Sequence, residues 1–112
     1  NVVEIVEWIN TNTTKDEIVL VEPHIRSFWA LEFFTNRKTY VNYKFVPTKP
    51  EDLMEWYNRL FIRDSAFLGN CKNFKLISAK YLISKKNSFD LTKCADMVFN
   101  NNNFIISKIR LN

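Results

Sequence analysis

Basic side chains in the first half of the chain are of the types that bind an anion. His24 and Arg26 directly follow an apolar segment, and Arg37 and Lys44 come later. Open α/β sheets bind ligands at the carboxyl ends of their strands, where the next helix offers free N–H groups. The sequence therefore predicts a phosphate or phosphosugar site at His24, Arg26, Arg37 and Lys44, which Lys85 could join. The alternative is that Arg26 packs its stem on a helix and exposes its head.

Residue patterns for common enzyme chemistry are absent. The turn Glu22-Pro23-His24-Ile25-Arg26 has no glycine, so its backbone cannot approach a pyrophosphate as dinucleotide and P-loop folds do. No Gly-x-Ser-x-Gly elbow occurs, and His24 has no recognisable triad partner. The carboxylates of Glu51, Asp52 and Glu55 are explained by a helix N-terminus. We expect no catalytic residue and no cofactor.

Two cysteines leave two interpretations open. Cys71, Cys94 and the lone His24 lack the spacing of a metal site, so no metal is expected. We interpret both thiols as small buried hydrophobic groups. A Cys71–Cys94 disulfide is the alternative, acceptable only in an oxidising compartment.

Composition predicts one folded domain over residues 1–112. Hydrophobic residues make up 46% of the chain and aromatic residues 15%, with one Gly and three Pro. The apolar runs are far shorter than the ~20 residues that cross a bilayer. The +4 charge is scattered and lacks a nucleic-acid-binding motif, so no nucleic-acid partner is expected. The first residue is Asn rather than Met, and we expect a fragment of a longer protein.

Apolar spacing predicts helices and strands in alternation. Val2, Ile5, Val6 and Ile9 form a helical stripe that should end at the polar run Asn10–Thr14. The short apolar run Glu17–Glu22 predicts a central strand buried on both faces. The remaining predicted elements are a buried helix at Ile25–Phe34, a half-exposed strand at Thr39–Val46, a helix starting at the capping box Thr48–Glu51, a short helical stretch that follows the segment Asp64–Asn73, a strand at about Lys80–Ser84, and a hairpin that turns at Asn100–Asn103.

The helix after Thr48 should pack one side on the core. Its apolar stripe is Leu53, Trp56, Tyr57, Leu60 and Phe61. Together the elements predict an α/β fold: a small Rossmann-like sandwich with a mixed sheet of about five strands, helices on both faces and a C-terminal antiparallel hairpin.

Several sequence phrases together resemble a known group of domains. They are Glu7–Thr13 with Asp16, Phe34–Val41 with Lys44 and Pro47, Glu55–Tyr57, Ala79–Ile83, and Phe99–Asn101 followed by Phe104–Lys108. Across nearly all 112 residues the chain resembles the extramembrane C-terminal domain of polytopic bacterial membrane proteins. Those proteins are related to the class C glycosyltransferases, which use polyprenyl-phosphate sugars.

The resemblance implies a role outside the membrane and outside the cytoplasm. In that family the catalytic carboxylates and the metal lie in loops between membrane helices, and neither those loops nor the Trp-Trp-Asp acceptor motif occurs here. Arg26, Arg37 and Lys44 match recurrent basic positions. One hypothesis is thus a non-catalytic accessory domain whose partner is the membrane-embedded part of the same chain. The other is a small stand-alone enzyme, or an anion- or phosphosugar-binding domain, using His24 and Arg26.

Overall fold

The chain folds as a mixed α/β domain. The structure, a computed structural model, describes residues 2–23, 35, 37 and 48–110. Its elements in chain order are α1 (Val2–Asn12), β1 (Ile18–Val21), α2 (Pro50–Phe67), α3 (Cys71–Ile77), β2 (Ala79–Lys85), β3 (Ala95–Asn100) and β4 (Phe104–Ile109). The predicted helix at 25–34 and the predicted strand at 39–46 lie outside the described residues.

The described strands form one mixed sheet in the order β1-β2-β4-β3. β1 pairs with β2 in parallel, and β4 pairs antiparallel with both β2 and β3. The predicted C-terminal hairpin is therefore confirmed, with its turn between Asn100 and Phe104. β1, the predicted central strand, lies at one end of this four-stranded order.

Helix α1 covers one face of the sheet. Its stripe buries Ile5 and Ile9 against a set of strand side chains. The strand residues of this cluster are Val19, Val21, Tyr81, Ile83 and Ile106. Trp8 packs at the margin, with its ring 5.6 Å from Tyr81 in an edge-on arrangement. The predicted helical stripe is confirmed.

Helices α2 and α3 cover the opposite face. Phe67 and Phe74, one from each helix, meet edge-on with centroids 5.3 Å apart. They pack with Leu20 and Leu82 from the sheet. Helices therefore lie on both faces, as predicted.

The structure corrects two expectations about α2. The capping box does not form, because α2 begins at Pro50 with Lys49 as its N-cap and no side-chain cap bond. The apolar stripe does not pack as a unit either: Tyr57 is 61% exposed and Phe61 71% exposed. The side chains that α2 buries come later, at Arg63, Ala66 and Phe67. The turn at its end, not its middle, meets the sheet.

The structure also corrects the interpretation of the cysteines as free thiols. Cys71 and Cys94 form a disulfide, with their Cα atoms 5.3 Å apart. The bond joins the start of α3 to the turn before β3 and packs against the α2/α3 core cluster. Among the described helices, none is both long and apolar enough to cross a membrane.

Candidate functional site

The predicted anion site divides between described and undescribed residues. His24, Arg26 and Lys44 lie outside the described residues, and Arg37 lies within them. The edge that the prediction named is well defined, because the parallel strands β1 and β2 end there at Val21 and Lys85. We call it the carboxyl edge.

Arg37 holds the end of helix α1. Its Nε donates to Thr13 Oγ1 at 2.7 Å, and its Nη2 donates to the Thr13 carbonyl at 3.1 Å. Longer contacts of 3.4 Å join Nη2 to the carbonyls of Ile9 and Asn10, and Nη1 donates to the Thr35 carbonyl at 2.8 Å. The last carbonyls of a helix lack intrahelical donors and carry partial negative charge. Arg37 therefore satisfies backbone acceptors, and a ligand would compete with them for its donors.

A buried carboxylate lies at the carboxyl edge. Glu22 directly follows β1, and its N–H continues the ladder by donating to the Ile83 carbonyl at 2.9 Å. The residue is only 1% exposed. Its Oε2 accepts a 2.5 Å hydrogen bond from Ser88 Oγ, while Oε1 is buried without a donor in the described part of the chain. Burying such an oxygen is costly unless a donor reaches it.

A polar cleft lies next to this pair. It has a volume of about 430 Å³ and is formed by the end of β2 and the β3–β4 turn. Its lining residues are Lys85, Lys86, Asn87, Asn102, Asn103 and Phe104. Ser88 connects the two features, since its hydroxyl is also 2.9 Å from the Lys85 carbonyl oxygen. We call this cleft the carboxyl-edge cleft.

The carboxylate and the cleft together offer both a hydrogen-bond acceptor and hydrogen-bond donors. Glu22 offers a hydrogen-bond acceptor, and the lysine ammonium and asparagine amide groups offer donors. The donors that line the cleft would suit a phosphate, and a hydroxyl group that reached Glu22, which is itself buried, would supply a donor to its Oε1. Within the described residues, no group of three His, Cys, Asp or Glu side chains could hold a metal ion.

The sequence-based prediction included Lys85 but missed Glu22 and Ser88. Glu22 and Ser88 are 66 positions apart in the chain, so no local spacing connects them. The local signal was the position of Glu22 at the end of an apolar strand. That position made burial of its carboxylate predictable, but it did not indicate Ser88 as the partner.

Comparison with known proteins identifies a family rather than an activity. No curated protein matches this chain. Residues 1–61 match the family model described as "Domain of unknown function (DUF6798)". The match takes in α1, β1 and the larger part of α2, and the disulfide lies beyond it. Because the matched residues are more than half of the 112, the chain belongs to the DUF6798 family.

Proposed function

We propose that this chain is a non-catalytic, extracytoplasmic accessory domain of a longer membrane protein. The observation that carries the proposal is the Cys71–Cys94 disulfide. Disulfides form and persist in oxidising compartments, whereas cytosolic thiols are kept reduced. A domain whose core contains such a bond is suited to the outer side of a membrane.

The position of the disulfide favours a permanent structural bond over a transient one. Cys94 is 6% exposed and belongs to the core cluster, with Cys71 packed against it. Redox-active cysteines lie in accessible, electropositive surroundings that stabilise a thiolate. Burial against Phe74 and Leu91 provides the opposite environment.

The proposed parent is a polytopic membrane protein similar to the class C glycosyltransferases. This part of the proposal is supported by the sequence resemblance, including the segment that forms α1. In this arrangement α1 connects a membrane-embedded partner in the same chain to the sheet, and Arg37 fixes the end of that helix.

The oxidation state of Cys71 and Cys94 in cells tests the proposed extracytoplasmic location. Cells that express the full-length parent are quenched in acid, and free thiols are labelled with a maleimide that adds mass. We expect Cys71 and Cys94 to resist labelling until a reductant is added. The variant Cys94→Ser is the control, since it leaves Cys71 free to react. Labelling of both wild-type cysteines without reductant would place the domain in a reducing compartment and end the proposal.

A second candidate function is the binding of a phosphosugar at the carboxyl edge. The observation that favours it is the buried Glu22 Oε1, which has no donor among the described residues, near a cleft lined by two lysines. A sugar hydroxyl would donate to Glu22, and Lys85 and Lys86 would meet the phosphate. His24 and Arg26, which follow β1 in sequence, are the expected further contacts.

Titration with sugar phosphates, followed by amide chemical shifts, tests this binding. We expect saturable shifts at Glu22, Lys86 and Ser88. Replacement of both Lys85 and Lys86 by Ala should weaken binding about tenfold or more. Lys93→Ala is the matched control, because Lys93 is exposed and does not line the cleft. Equal weakening in the control, or no shifts in wild type, would reject the site.

A further inference from the structure

A second cleft lies at the other end of the sheet. It has a volume of about 520 Å³ and is formed where α3 turns into β2 and where β4 ends. Its side chains of interest are Lys75, Lys80, Lys108 and Arg110, with Ala79 and Ile109. We call it the basic cleft. It lies about 20 Å from the carboxyl-edge cleft, since β2 separates the two and rises ~3.3 Å per residue.

The fold brings these four cations together from separate parts of the chain. Lys75 belongs to α3 and Lys80 to β2, while Lys108 and Arg110 come from the end of the chain. Ser78 makes this possible, because its left-handed conformation (φ 61°) ends α3 and turns the chain sharply into β2. The scattered charge of the sequence thus becomes a local concentration.

Lys80 and Arg110 each form an ion pair with a carboxylate. Lys80 Nζ pairs with Glu17 Oε2 at 2.5 Å, and Arg110 Nη1 pairs with Asp96 Oδ1 at 2.7 Å. Lys108 differs: it is exposed, and no described carboxylate is ion-paired with it. Asp96 faces Lys108 across the β3–β4 ladder, but its Oδ1 is bonded to Arg110. The cleft therefore retains positive charge around Lys108.

Two apolar residues also line the basic cleft. Ala79 and Ile109 are each only 7% exposed and contribute apolar surface beside the cationic side chains. A concave surface with low-dielectric walls and charge of one sign concentrates counter-ions.

We propose that the basic cleft binds a phosphate group, with Lys108 as the principal ligand-binding residue. The group has two sources with the same chemistry: a soluble phosphorylated molecule, or the headgroup of an anionic phospholipid. Lys75 and Arg110 line the same cleft and add positive charge beside Lys108. This site is independent of the carboxyl edge and of the proposed location.

The experiment uses the 112-residue chain and two probes. Inorganic phosphate is titrated in place of chloride at constant ionic strength, while amide chemical shifts are recorded. We expect saturable shifts at Ser78, Lys108 and Arg110. In parallel, the chain is sedimented with phosphatidylcholine vesicles with and without phosphatidylglycerol. Sedimentation that depends on phosphatidylglycerol identifies a lipid source, and phosphate binding without it identifies a soluble source.

The variants separate a built site from general charge. Lys108→Ala should weaken either form of binding about tenfold, and Lys108→Arg should largely retain it. Lys93→Ala, an exposed lysine outside the cleft, should leave binding unchanged. Circular dichroism checks that each variant is folded. The proposal is overturned if neither probe binds, if chloride produces the same shifts as phosphate, or if Lys93→Ala weakens binding as much as Lys108→Ala.

Discussion

The two faces of the sheet are covered in different ways. On one face, α2 and α3 pack aromatic side chains on the strands, and the Cys71–Cys94 bond closes the cluster. On the other face, within the described residues, helix α1 covers the strands with its apolar stripe. There the anchor at the helix end is polar, because Arg37 bonds to the carbonyls of the last turn.

The difference shows how a small domain can stabilise two faces by separate means. The α2/α3 face depends on buried aromatic area and a covalent link, neither of which is weakened by charge screening. The α1 face depends in part on charge-assisted hydrogen bonds near the surface, which are worth less and are screened. Removing contacts from each face in turn should therefore give losses of different size.

The largest loss should come from the aromatic centre of the α2/α3 face. Phe74 is fully buried against Phe67, so Phe74→Ala should lower the free energy of unfolding by about 3–5 kcal/mol. Phe61→Ala is the matched control: Phe61 is 71% exposed, and the same change should cost about 0.5 kcal/mol or less. Urea melts measure both. Similar losses for the two variants would mean that the core does not lie where the structure places it.

Next comes the covalent link on the same face. Replacing Cys71 and Cys94 together by Ala should cost roughly 3 kcal/mol, because a bond across 23 residues restricts the unfolded chain. The single variant Cys71→Ala should lose nearly as much, since either change removes the bond. An unchanged urea midpoint in both variants would show that the α2/α3 face is held by packing alone.

The local elements of this fold were predictable because their signals lie within a few residues. The stripe from Val2 to Ile9 predicted α1, and the asparagine run predicted the turn of the hairpin. The capping box failed even though its spacing was correct. Pro50 starts α2 with Lys49 as the N-cap, so Thr48 stands one residue too early.

The long-range contacts were not predictable from spacing. The Cα atoms of Cys71 and Cys94 lie 5.3 Å apart although the residues are 23 positions apart in the chain. Local spacing therefore could not decide between a disulfide and two free thiols. The bond from Arg37 to the Ile9 carbonyl spans 28 positions. The sequence predicted an anion as the partner of Arg37, and the partners in the structure are carbonyl groups at the end of α1.

A smaller loss should follow when the anchor of α1 is removed. Arg37→Ala should cost about 1–2 kcal/mol, because it leaves helix-end carbonyls without a charged donor. Arg37→Lys should recover only part of this, since an ammonium keeps the charge but lacks the planar fork. Hydrogen exchange should quicken in the last turn of α1 and stay slow in α3. Equal quickening in α3 would mean that the two faces unfold as one unit.

The smallest effect concerns an ion pair at the rim where β1 and β2 begin. Glu17 Oε2 lies 2.5 Å from Lys80 Nζ, and Glu17 Oε1 accepts the Thr14 N–H at 2.7 Å. The hydrogen bond from Lys80, helped by that of Thr14, holds the pKa of Glu17 below its ordinary value of 4.5. The carboxylate in turn raises the pKa of Lys80 above 10.5.

These directions determine how the stability of the pair depends on pH. The lowered pKa of Glu17 gives a contribution that is present above pH 4.5 and is lost as the pH falls through the folded value. The raised pKa of Lys80 gives a contribution that is present below pH 10.5 and is lost as the pH rises through its folded value.

Glu17→Gln should therefore destabilise the domain slightly at neutral pH, and the difference from wild type should vanish in acid. Added salt should shrink the same difference, because Lys80 is nearly half exposed. Urea midpoints across acid and neutral pH measure it, with Glu55→Gln as the control for the exposed α2 pair with Arg59. A difference that persists unchanged below pH 4.5 would trace the effect of Glu17→Gln to packing rather than to charge.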